Sequence, residues 1–229
     1  MKALLYKEFK LAMHPICYVF VFMFPFMVLI PSYPLAIGFI YILSCYPILF
    51  LGANKGQQSN DLLYSTLLPI RKKDIVKARI ITVSIMQFTY VLMLAALFPL
   101  AWIINQTINV DAVELIQAPG IPLEGYVSIL AIGIIGLSIA DIIFFPIYYK
   151  NGRSIVKSTL FTILGFVAYL AIFTIASPYI PGCEGYVNFL ANPNIGIQFA
   201  ILGGALVLYV IIHIFVYKLS FKRLENVDF

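Results

Sequence analysis

Asp141 is the one carboxylate inside a long apolar run of this chain, and an acid in such a place has two kinds of chemistry open to it. It can take part in moving a proton or an ion, or it can close a salt bridge or hydrogen bond with a neighbouring span. It stands nine residues before Lys150, about 13 Å along a helix, which sets it below the midplane and within reach of water or a partner. No second acid follows it in the run, so no relay can be drawn. The two histidines, His14 and His213, fall near the ends of the first and last runs and read as helix-end residues hydrogen-bonded at the interface rather than as metal or proton sites. Missing motifs exclude other chemistry. There is no G-x-x-x-x-G-K-S/T phosphate loop and no H-E-x-x-H zinc motif, and Gly136-Leu137-Ser138-Ile139-Ala140 lacks the second glycine of a nucleophile elbow. Cys17 and Cys45 lie in apolar runs and Cys183 in a polar segment, an odd and scattered set that implies neither a disulfide framework nor a metal knuckle.

The elements that must position Asp141 are written in the distribution of charge. The chain is 62% hydrophobic and 11% charged, with a net charge of +5 and a mean hydropathy of +0.98. Globular domains carry about 25% charged residues, so a soluble protein is excluded. The bases are interrupted by apolar runs instead of gathered on one face, which argues for inner-leaflet electrostatics and against nucleic acid as a partner. Five runs, 16–53, 80–104, 126–149, 158–177 and 195–217, contain no Lys or Arg, and all 15 bases fall in segments between alternate runs. A span needs about 20 apolar residues, and cytoplasmic loops collect Lys and Arg. The first run is too long for one crossing: the 44 residues between Lys10 and Lys55 would make a helix of roughly 66 Å. Pro31 and Pro34 break it into a hairpin. The expectation is an all-α polytopic integral membrane protein, a single domain over 1–229. It has six transmembrane helices at about 16–30, 35–53, 75–104, 125–149, 158–177 and 195–217, with both termini cytoplasmic. Residues 1–13 read as an amphipathic interfacial helix. Pro25, Pro47, Pro99 and Pro146 mark kinks, hinges or passive bends within spans.

The most patterned polar stretch is the first inner loop, 54–74. Ser59 or Asn60 can cap two helical turns from Asp61 to Leu68, stopped by Pro69. Leu63 with Leu67, and Tyr64 with Leu68, give that helix an apolar face beside Asp61 and Ser65. Arg71-Lys72-Lys73 follow, and Asp74 can cap the third span. Such a segment is either an interfacial helix with lipid-facing bases or a docking element for a cytoplasmic partner.

Here the chain resembles the permease subunits of ABC-2-type transporters. The resemblance is carried by the stretch from Asn60-Asp61 through Tyr64, Leu68-Pro69, Arg71 and Asp74 to Lys77 and Arg79, and by the N-terminal Leu4-Leu5-Tyr6-Lys7-Glu8-Phe9-Lys10. It implies an ABC-2 (type V) exporter-like fold in which the helix before Leu-Pro is a coupling helix seated in a separate ATP-binding cassette subunit, and two six-span permeases form the pathway. Asp61, Tyr64, Leu67, Leu68, Pro69 and Arg71 would then touch that subunit. This chain would hold no cofactor and no catalytic residue, ATP and Mg being bound by the partner. Tyr186–Leu190 would supply the short re-entrant helix that the family places between spans five and six. Within the family the chain is similar to small permeases of Gram-positive bacteria, including those that export phenol-soluble modulins, which are cytolytic amphipathic peptides. That narrower likeness rests on size and on the two segments quoted, and an amphipathic or hydrophobic substrate is its implication. Aromatics such as Tyr18, Tyr41, Tyr46, Phe144 and Phe145 would line a lateral route for such a ligand or else serve as belts and packing. Two other classes stay open: a proton-coupled carrier using Asp141, and a non-transporting membrane scaffold or immunity protein.

Overall fold

Long runs with almost no charge form long helices, because a chain surrounded by lipid must satisfy its backbone polar groups internally. The computed structural model describes residues 2–13, 15–29, 70–107, 126–151, 155–176 and 195–226, and among these there is no strand. Helix α1 (Lys2–Lys7) runs into a π-helical turn at Glu8–Ala12. Helix α2 (Pro15–Met23) passes into a 3₁₀ segment, Phe24–Leu29. Four long helices follow: α3 (Lys72–Thr107), α4 (Tyr126–Asn151), α5 (Ile155–Ala176) and α6 (Ile195–Glu225).

Each of the four long helices contains a stretch apolar and long enough to cross a bilayer: Lys72–Leu97, Leu130–Lys150, Ile155–Ile172 and Gly196–Glu225. The N-terminal helix and α2, set at 85° to each other, give a fifth candidate if taken as one broken span. These helices fall on the expected spans one, three, four, five and six. The expected second span, 35–53, the loop 54–69 and the segments at 108–125 and 177–194 lie outside the described residues. Helix α3 starts three residues earlier than the expected span, so Asp74 stands in its first turn instead of capping it. There the carboxylate faces the positive end of the helix dipole, and the Arg71 carbonyl accepts the Asp74 N–H at 2.8 Å. Lys222 and Arg223 occupy the last turn of α6, where cations are favoured.

Helix α4 is the centre of the assembly, with α5 and α6 packed on it and α3 completing the set. Two-thirds of its apolar window is buried, 67% against 11% for α6, and both close approaches to α5 depend on a missing side chain. A Cβ on Gly136 would stand 2.6 Å from Phe166 Cε2, and one on Gly165 would collide with Ile143. Gly136 therefore serves helix packing, the membrane use of small residues. The Tyr169 hydroxyl crosses the same interface to donate to the Ile132 carbonyl at 3.0 Å. Phe144 and Phe145 are fully buried and continue into Tyr148 and Tyr149 as a stacked ladder, with Phe144 and Tyr148 centroids 5.8 Å apart. These two aromatics are core.

The surface is inverted relative to a soluble protein. Ile163, Val167 and Ile172 of α5 and Val207, Val210, Ile214 and Phe215 of α6 are exposed, whereas Gln87, Ser138, Asp141, Thr162 and Gln198 are buried. Lipid is as apolar as leucine, so helices gain little by hiding aliphatic groups from it and gain by pairing polar ones inside.

Candidate functional site

Three polar side chains, the buried Gln87 and the partly buried Tyr209 and His213, gather around Asp141. On α3, Gln87 is brought inward among Val83, Met86, Tyr90 and Leu94, all buried. On α6, Tyr209 and His213 are four residues apart and share one face, their rings tilted by 34° with centroids 4.0 Å apart. Asp141, fully buried, sits near the middle of the α4 window Leu130–Lys150. Gln87 Nε2 donates to Asp141 Oδ1 at 3.2 Å, and the Tyr209 hydroxyl donates to Gln87 Oε1 at 2.6 Å. His213 Nε2 lies 3.1 Å from Asp141 Oδ2, and His213 Nδ1 lies 2.9 Å from the Tyr209 carbonyl oxygen. The contacts close on themselves: from Tyr209 to Gln87, to Asp141, to His213, and back to the backbone of Tyr209. One ring thus ties α3, α4 and α6 together.

The expectation that His213 is a helix-end residue bonded at the interface is corrected: its imidazole is turned onto Asp141. One ring nitrogen faces the carboxylate and the other a backbone carbonyl, so the histidine is not poised as a base beside a nucleophile. The hydroxyl of Ser138, one turn from Asp141, donates to the Ile134 carbonyl at 2.9 Å. Among the described residues no group of three or more His, Cys, Asp or Glu side chains stands together as a metal site. Beside the ring a shallow open depression is lined by Gln87 and Tyr209 together with Phe88, Val91, Ile134, Leu137 and Leu206.

A second polar joint lies at the basic end of α3. The π turn widens the N-terminal helix, with Met13 N–H donating to the Glu8 carbonyl at 2.9 Å. Tyr18 donates across to the Phe9 carbonyl at 2.7 Å. Glu8 is thereby carried into the interior, 2% exposed, where Arg79 grips both carboxylate oxygens, Nη2 to Oε1 at 3.1 Å and Nε to Oε2. One of these contacts is a charge-assisted hydrogen bond, stronger than a neutral one, and the other a close ion contact. At the far end of α4, Arg223 of α6 donates to the Pro146 carbonyl at 2.9 Å.

The sequence profile of the family described as ABC-2 family transporter protein matches residues 3–222. The chain belongs to the ABC-2 transporter family. No curated protein and no solved structure matches it. The chain is thus a multi-pass membrane permease component of an ABC transport system, a family that works with an ATP-binding subunit. Of the residues expected to touch that subunit, Asp61, Tyr64, Leu67, Leu68 and Pro69 lie outside the described residues, as does Tyr186–Leu190. Arg71 is described and exposed, one residue before α3 begins. The ring and the Glu8–Arg79 joint are thus features of an ABC-2 permease, and both grip the helix that follows the expected coupling segment. Gln87 and the Glu8–Arg79 pairing were missed in the sequence. The available signal was a lone amide in an otherwise apolar span and, on α6, a Tyr and a His spaced four apart.

Proposed function

We propose that this chain is half of a dimeric ABC exporter pathway for an amphipathic or hydrophobic substrate, with ATP and Mg bound by a separate cytoplasmic subunit. The single observation that carries the reading is the family match across residues 3–222. In this reading the protein lies in the bacterial cell membrane with both termini cytoplasmic, and segment 54–74 docks in the ATP-binding subunit through Asp61, Tyr64, Leu67, Leu68, Pro69 and Arg71. Domain closure on ATP moves that segment, and α3, which starts at Lys72, carries the movement into the bilayer as a rigid body. Glu8–Arg79 carries the N-terminal helix along with it, and the Gln87–Asp141 contact passes the motion to α4. The substrate class, amphipathic or hydrophobic, rests on the resemblance to small Gram-positive permeases of this family. Short cytolytic peptides of the phenol-soluble modulin type fit that description.

The test is purification of the tagged chain in mild detergent, with identification of copurifying proteins and an ATPase assay. A stoichiometric P-loop subunit is expected, with activity lost in Leu67→Asp, since an unpaired charge in the docking groove costs several kcal/mol. Unchanged ATPase activity and complex yield in Leu67→Asp and Tyr64→Asp remove the docking assignment. The contact between Asp141 and His213 favours a second reading, a proton-coupled carrier. In that case Asp141→Asn abolishes gradient-driven transport and no ATPase copurifies.

A further inference from the structure

We infer that Asp141 and His213 form a one-proton site: the closed joint between α4 and α6 holds a single proton shared by the two side chains, with no net charge. The argument uses only the chemistry of the contacts. A backbone carbonyl can only accept, so His213 Nδ1, 2.9 Å from the Tyr209 oxygen, carries a hydrogen. Tyr209 donates to Gln87 Oε1, which leaves the Gln87 amide nitrogen to donate to Asp141 Oδ1. What this leaves open is the place between Asp141 Oδ2 and His213 Nε2, 3.1 Å apart and neither atom hydrogen-bonded to another group. With one proton there, two arrangements satisfy both atoms, a carboxylic acid donating to a neutral imidazole or an imidazolium donating to a carboxylate. They interconvert by moving that proton from Oδ2 to Nε2, and both are neutral overall. With no proton, a lone pair faces a carboxylate. With two, donor faces donor and the pair carries a positive charge among apolar helices, which is costly.

On α3 the ionisable groups nearest Gln87 are Tyr90, buried in the apolar core, and Arg79, two turns away and neutralised by Glu8. On α6 Arg223 is engaged by the Pro146 carbonyl, and Lys218 and Lys222 are exposed. On α5 Tyr169 is bonded to Ile132, on α2 Tyr18 is bonded to Phe9, and on α4 Tyr148 and Tyr149 stack in the aromatic ladder. Cys17 of α2 is buried in the apolar core. The site belongs to this chain alone and stands whether or not the proposed coupling to an ATP-binding subunit does.

A shared proton is recognised by what happens when either holder is removed. Unfolding midpoints of the purified chain in detergent are measured across about pH 5–8, where histidine ordinarily changes charge, for the wild type, His213→Gln, Asp141→Asn and the double variant, which serves as the baseline for all other groups. The wild type is expected to run parallel to the double variant, because the pair keeps its one proton throughout. His213→Gln leaves a buried carboxylate that acid neutralises, so its midpoint rises by several degrees as pH falls. Asp141→Asn leaves an imidazole that acid charges, so its midpoint drops over the same range. Parallel curves for all four proteins overturn the site, as does a wild type that loses stability with acid as Asp141→Asn does. A second measurement needs no change in the ring: the chain has two histidines, and with ¹⁵N-labelled histidine, assigned by His14→Gln, the His213 signals are expected to stay fixed over that range. An ordinary titration of His213 overturns the proposal.

Discussion

The two polar joints of α3 are made of different materials. At the basic end, Glu8 and Arg79 meet as full charges in a buried ion pair. Deeper along the same helix, Gln87 uses an amide to hold a carboxylate that is itself matched by a histidine. A charge removed from water loses its hydration, and the loss is smallest near the interface, where side chains can still reach water, and largest at the centre of the bilayer. The permease accordingly uses an ion pair where α3 leaves the apolar zone and a closed hydrogen-bonding ring where it is surrounded by hydrocarbon. A permanent cation such as Arg at the deeper position would fix the charge there. Histidine opposite Asp141 lets the pair stay neutral.

Substitutions that unbalance these joints should rank by how much charge they strand. Arg79→Ala leaves the Glu8 carboxylate inside with Lys7 Nζ 4.0 Å away. It is expected to cost about 3–5 kcal/mol, read as a lower unfolding midpoint and lower yield in detergent, and Arg79→Ala with Glu8→Ala together should recover most of the loss. Gln87→Leu strands no full charge but takes a donor from Asp141 and an acceptor from Tyr209, for about 1–3 kcal/mol in the same assay. If Gln87→Leu proves more damaging than Arg79→Ala, the ordering of the two joints by stranded charge is wrong. Glycines on α4 and α6 give comparable or smaller effects. Gly136→Ala pushes a methyl group to 2.6 Å from Phe166 and should cost about 1–3 kcal/mol, whereas Gly204→Ala, with nothing within 4 Å of the added carbon, should be neutral or slightly stabilising through helix propensity.

Helix positions were legible because charge and proline mark where long apolar runs begin and end. Base-free runs set the four long helices to within a few residues at most ends, although α6 continues past the expected limit at 217 as far as Glu225. Its last turns carry Lys and Arg, which hydropathy counts as outside the span while the backbone remains helical. The N-terminal helix was legible as amphipathic, but the π turn that delivers Glu8 to the interior has no signature in residue type. Likewise the 3₁₀ segment that begins at Phe24, just before Pro25, looked like the continuation of a bent α-helix. The ring was the least legible part. Asp141 stood out as a lone acid, but its partners are 54 residues away in one direction and on the last span in the other, and a single chain gives no information about which spans touch. Reading each polar residue on its own led to His213 being placed at an interface, since the reason for its burial lies on another helix.

The closed ring also sets an order of events during synthesis. Gln87 emerges 122 residues before Tyr209, which at about 5–20 residues per second is a wait of roughly 6–24 s. Through that interval α3 and then α4 must enter the membrane with an amide and an acid that have each other but neither of the α6 groups that complete their bonding. The nascent permease is therefore most vulnerable to quality-control proteases just before its final helix arrives, and α6, the least buried of the four, is the helix whose insertion ends that exposure.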